Sequence, residues 1–135
     1  MAARYLLDTN ICIYIAKHSP PAVCERLARH TVDELVMSVV TLGELRFGAE
    51  KSQSRAAALA VIERLVAALH IAPLTAVVGE HYGRIRADLQ RRGEMIGNND
   101  LWLAAHARAT GWILVTDNER EFVRVDGLQV ENWVV

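Results

Sequence analysis

Short apolar runs that stop on polar residues, each followed by a helical pattern, constrain this chain more than any other feature. YLL at 5–7 stops at Asp8, LVM at 35–37 stops at Ser38, and WILV at 112–115 stops at Thr116 and Asp117. Their apolar positions are consecutive, not alternating, so both faces of each strand need covering. IAPL and LQVENWVV supply further short strands. Helical segments stand between them. TNICIYIAKH is capped by Thr9 or Asn10, and SPPAVCERLARH takes Ser19 as cap with Pro20 or Pro21 in its first turn. VVTLGELRFGAEKS, the Ala/Leu-rich 54–70 and TAVVGEHYGRIRADLQRRG follow, the last closed by Gly93. A further helix opens after NND, with Asn98 and Asn99 as loop and cap, and NEREFVRV adds a short one. Alternation of this kind predicts an α/β fold with a central, mostly parallel sheet flanked by helices on both sides. With no repeat, linker or low-complexity tract, 1–135 reads as a single domain.

Composition narrows the function classes. Hydrophobic residues at 52% and charged residues at 23% describe a globular chain, not a disordered one. The net charge is −1, so a nucleic-acid partner would have to meet a local basic face or a bound cation. Cys12 and Cys24 lack metal-ligand spacing and read as buried free thiols in a reducing cytosol. The opening MAARYLLDTN is too short an apolar stretch for a signal peptide, and no run approaches the ~20 residues of a membrane span. A cytoplasmic protein without membrane contact is the expectation. Neither a P-loop nor a GxGxxG follows the first strand, which argues against a nucleotide triphosphate or dinucleotide site.

Open parallel sheets bind ligands outside the carboxyl ends of their strands. Asp8 and Asp117 end strands, Glu44 lies on the first turns of the helix after Ser38, and Asp100 starts its own helix. Each has an ordinary reading. Asp8 would cap a helix, Asp100 would answer a helix dipole, and Asp117 would sit in a turn. Glu44 would be a solvated helix residue, yet it falls beside Val40 and Phe47, away from the stripe of Leu42, Leu45 and Ala49. Together the four would repel, at several kcal/mol for each desolvated charge unless something neutralises them. A hard divalent cation, Mg²⁺ or Mn²⁺, resolves that conflict with oxygen ligands. The histidines are scattered, and His106, about 240° around the helix from Asp100, is expected to face solvent or a partner. Trp102 is expected to pack against another helix.

The blocks YLLDTNICIYIAK, SVVTLGELRFGAEKS and IGNNDLWLAAHARATGWILVTDNEREFVRVDGLQVENW resemble PIN-domain ribonucleases of the VapC toxin type, over essentially the whole chain. The resemblance carries over Asp8 as the strand-end acid, Glu44 from T-x-x-E-L and Asp100 from the D-x-x-x-A-A-H-A helix start. A fourth position falls on Asp117 or on Asn118, with Thr116 and Asn10 orienting the acids or a bound water. It implies Mg²⁺- or Mn²⁺-assisted hydrolysis of RNA, with tRNA among the candidate targets, leaving a 5′-phosphate and a 3′-hydroxyl. It also implies a VapB-type antitoxin and a homodimer. Arg46, Arg84, Arg86, Arg91 and Arg92 are candidate contacts to RNA or antitoxin; the last four, on one helix, read otherwise as a solvated face paired with Asp88 and Glu80. The altered fourth position leaves a rival: a PIN-fold RNA-binding protein whose catalysis has decayed.

Overall fold

The computed structural model describes residues 4–135; residues 1–3, which begin the stretch read as too short for a signal peptide, lie outside them. Five strands form one sheet: β1 (Tyr5–Leu7), β2 (Leu35–Ser38), β3 (His70–Ala72), β4 (Ile113–Val115) and β5 (Val130–Glu131). All are parallel, in the order β3-β2-β1-β4-β5. Around them lie α1 (Thr9–Lys17), α2 (Pro21–Leu27), α3 (Val39–Glu50), α4 (Arg55–Ala68), α5 (Ala76–Arg92), α6 (Asn98–Thr110) and the short α7 (Glu119–Phe122).

Strand register explains why consecutive apolar residues were needed. Leu6 lies opposite Val36 and Leu114, and Leu7 opposite Met37 and Val115. Alternate residues point to opposite faces. Leu6, Val36 and Leu114 therefore join one core with Ile85 and Leu89 of α5 and Leu103 and Ala104 of α6. Leu7, Met37 and Val115 join the other, with Ile11 and Cys12 of α1, Val23 of α2, Leu65 of α4 and Trp133. Full burial of each such side chain contributes about 1.5–3 kcal/mol before conformational entropy is subtracted.

From β1 the chain winds outward through β2 to β3, then returns to the other side of β1 for β4 and β5. The reversal leaves a crevice at the carboxyl ends of β1 and β4, where connections depart in opposite directions.

Three helix starts differ from expectation. Asp8, not Thr9 or Asn10, caps α1, its Oδ1 accepting the Ile11 N–H at 2.9 Å. Pro20, not Ser19, precedes α2, with Pro21 as the first helical residue. Gly97 is the cap of α6, and Asn98 and Asn99 already belong to its first turn. In each case the chain's turn falls one or two residues earlier or later than side-chain preference suggests. Gly93 does close α5, in the left-handed region at φ 68°. Cys12 is buried, Cys24 half-buried, and both are free thiols. No helix among the described residues is long and apolar enough to cross a membrane.

Candidate active site

Asp8 leaves β1 directly into the crevice. Its backbone N–H donates to the Val115 carbonyl at 3.0 Å, so the end of β4 fixes where the carboxylate starts. The residue is 6% exposed. Burial pushes its carboxyl up to about 6, the charges of Asp117 and Glu44 add to the rise, and hydrogen bonds from Thr116 and the Ile11 N–H oppose it.

Ser38 ends β2 and caps α3, its Oγ accepting the Val40 N–H at 3.1 Å. Glu44 lies six residues further on, about 9 Å along the helix. The Thr9 hydroxyl donates to Glu44 Oε1 at 2.9 Å, tying the start of α1 to α3. Asp100 is the third residue of α6, where the N-terminal amides and dipole favour an anion. Burial nevertheless pushes its carboxyl up to about 6, followed by the charges of Glu121, Glu44 and Asp8 and a hydrogen bond with Glu121.

These groups meet in a cavity of about 150 Å³ whose polar lining is Asp8, Thr9, Asn10, Glu44, Asp100 and Asn118, with Leu103 and Phe122 as its apolar wall. Two like-charged carboxyls that both resist ionisation, beside a third acid, form a site that favours a proton or a cation. Among the described residues no three His, Cys, Asp or Glu side chains are gathered into a preformed metal cage. The three acids instead line an open cavity.

The fourth position divides. Asn118 lines the cavity, while Asp117 turns to Tyr14, whose hydroxyl donates to its Oδ2 at 2.9 Å. Thr116 is fully buried, and its Oγ1 accepts the Asn118 N–H at 3.0 Å, shaping the turn that presents Asn118. Asn10 lies in the cavity wall.

The arginines stand elsewhere; none of the five lines the acidic cavity. Arg46 is exposed on α3. Arg86 donates to the Tyr82 hydroxyl at 2.9 Å. Arg92 pairs with Asp88 at 2.9 Å and Glu94 at 3.3 Å and donates to the Arg124 carbonyl. Arg91 approaches Asp88 at 3.7 Å. Arg84 and Arg91 border a separate cavity of about 240 Å³ with Arg108 and Asp126. Trp102 packs as expected, stacked on Tyr82 of α5 at 3.9 Å between ring centres. It also borders an open groove of about 820 Å³ that reaches Glu44.

His106 reverses its expectation. It is 1% exposed, and Nδ1 lies 2.9 Å from Ser38 Oγ. Packing of α6 against both α5 and α3 covers the side that rotation alone left open. Thr9 and Glu121 are the other participants that sequence reasoning passed over. Thr9 had a signal in its place next to Asp8; Glu121 had only its position in the first turn of a short helix.

A model of the PIN domain matches residues 5–128. Over 130 residues the chain is 45% identical to the tRNA(fMet)-specific endonuclease VapC of Shigella flexneri, covering 96% of this chain and 98% of that protein. The chain belongs to the VapC family of PIN domains. Ribonuclease VapC2 of Haemophilus influenzae is 43% identical over 131 residues, covering 97% of this chain and 98% of the relative. Among solved structures, the DNA-bound VapBC of Salmonella typhimurium superposes with a TM-score of 0.91 at 38% identity, covering 98% of this chain and 99% of that one. In this VapC-family PIN domain the acidic cavity lies at the strand-order reversal, the place where an open parallel sheet exposes backbone and side chains to a ligand.

Proposed function

We propose that this PIN domain, spanning 1–135, is a divalent-metal-dependent endoribonuclease and the toxin of a VapBC toxin–antitoxin pair. One observation carries the reading: Asp8, Glu44, Asp100 and Asn118, from four separate segments, line one small cavity. The names of its relatives, a tRNA(fMet)-specific endonuclease among them, support RNA and specifically tRNA as the substrate. Neighbouring solved structures of VapBC complexes support a VapB-type antitoxin as partner. A cytoplasmic homodimer completes the reading.

The donor set fits a hard cation: carboxylate oxygens from Asp8, Glu44 and Asp100, with the Asn118 amide oxygen as a neutral fourth. Mg²⁺ or Mn²⁺ bound there would supply Lewis-acid polarisation of the phosphate and a more acidic attacking water. The protein's own contribution is placement. Asp8 is held by the Ile11 N–H and Thr116, Glu44 is aimed by the Thr9 hydroxyl, and Asp100 is seated on the α6 N-terminus. Asp117 adds charge from outside the cavity, and Glu121 does so beside Asp100.

Purified, antitoxin-free protein should cleave tRNA with Mg²⁺ or Mn²⁺ and stop in EDTA. Asp8→Ala and Asp100→Ala should remain folded and inactive. Full cleavage in EDTA, or by either variant, would sink the proposal.

A further inference from the structure

The buried histidine of α6 is not used by the chemistry above, yet it makes the one side-chain hydrogen bond among the described residues that joins α6 to the start of α3. Ser38 Oγ holds two groups at once, the Val40 N–H at 3.1 Å and His106 Nδ1 at 2.9 Å. Both residues are closed to solvent, at 0% and 1% exposure. Burial also pushes the imidazole pKa below its ordinary value. Glu44 lies six residues after Ser38 on α3, and Asp100 six residues before His106 on α6. The bond therefore stands about 9 Å from each acid along the helix that carries it. At the acidic end of the contact, the Glu44 charge repels Asp100. At the other end, the hydrogen bond holds the helices together.

We propose that His106 is a positioning residue whose bond to Ser38 fixes α6 against α3 and thereby sets the Glu44–Asp100 spacing on which divalent-cation affinity depends. This rests on the metal-dependent reading above. Without the bond, Ser38 loses one of its two partners in a dry interior and α6 loses its side-chain tether to the start of α3. Displacements of about 1 Å at a reactive constellation can cost ~10²-fold.

Mn²⁺ binding, followed by the EPR signal of the free ion, tests this without reference to turnover. His106→Leu should weaken binding about tenfold. His106→Asn, whose amide nitrogen stands near the place of Nδ1, should recover affinity to within about threefold of the unmodified protein. Leu65→Ala, in the core on the opposite face of the sheet, should lower thermal stability and leave Mn²⁺ affinity alone. Ser38→Ala should weaken binding at least as much as His106→Leu, since it also removes the Val40 cap, and the double variant should lose little more than Ser38→Ala alone, because the shared bond is already gone. Cleavage by His106→Leu should recover with excess Mn²⁺. Unchanged Mn²⁺ affinity in His106→Leu, or an equal loss in Leu65→Ala, overturns the proposal. Should His106→Leu not fold, unchanged affinity in Ser38→Ala overturns it instead. If the unmodified protein and Asp100→Asn bind Mn²⁺ alike, the metal reading itself fails and this proposal falls with it, a result that no His106 variant can mimic.

Discussion

Tyr14 donates its hydroxyl to Asp117 Oδ2 at 2.9 Å, bonding α1 to the turn after β4. Asn118 lines the cavity and Asp117 does not. Asp117→Asn should therefore cleave tRNA within about threefold of the unmodified rate, whereas Asn118→Ala should lose about tenfold or more, as removal of a metal-site group does. Initial rates at saturating Mn²⁺ check the order. The reverse order would make the Asp117 carboxylate the fourth ligand.

The Thr9 hydroxyl holds Glu44 Oε1 at 2.9 Å, so Thr9 acts on the chemistry through Glu44. Thr9→Val keeps the volume and removes the donor. A loss of about 10–100-fold in kcat is expected, with KM for RNA little changed. Thr9→Ser should restore most of it. Equal activity in all three proteins would leave Glu44 oriented by something else.

The two faces of the sheet and the convergence of Asp8, Glu44 and Asp100 were legible because period and strand ends are local features. What escaped depends on how helices cross. His106 looked solvent-facing from rotation about its own axis, and only the packing of α3 on α6 puts Ser38 beside it. Glu121 reaches Asp100 because α7 follows β4 across the reversal of strand order, and no spacing along the sequence encodes that approach. Helix starts failed for a smaller reason. Gly97 and Pro20 precede the first turns by backbone conformation, while Asn99 and Ser19 offered the better side chains.

Glu121 raises the Asp100 carboxyl both by charge and by a hydrogen bond, after burial. Glu121→Gln removes the charge, so Asp100 should ionise at lower pH. Mn²⁺ binding strengthens as the acids ionise, and its acid limb should move downward in pH. A pH series of Mn²⁺ affinity for both proteins measures the displacement. An unmoved limb would mean that Glu121 is screened from Asp100 by solvent.

Asp100 also links the site to stability. Its carboxyl is pushed from 3.8 up to about 6 in the folded chain, so folding favours the protonated form. The stabilisation from that form is complete below the unfolded value and disappears as pH rises through about 6. At pH 7.5 in EDTA, Asp100→Asn should then be more stable than the unmodified protein, by about 1–2 kcal/mol once solvent screening of this half-buried group is allowed for. The advantage should shrink as pH falls from about 6 to 4, where both side chains are neutral. Thermal unfolding of the two proteins across this range isolates the group, because His106 and the other titrating residues are common to both. Saturating Mg²⁺ at pH 7.5 should reverse the order by stabilising only the protein that binds it. A stability difference that does not vary with pH would mean that Asp100 is already ionised without cost at the α6 terminus.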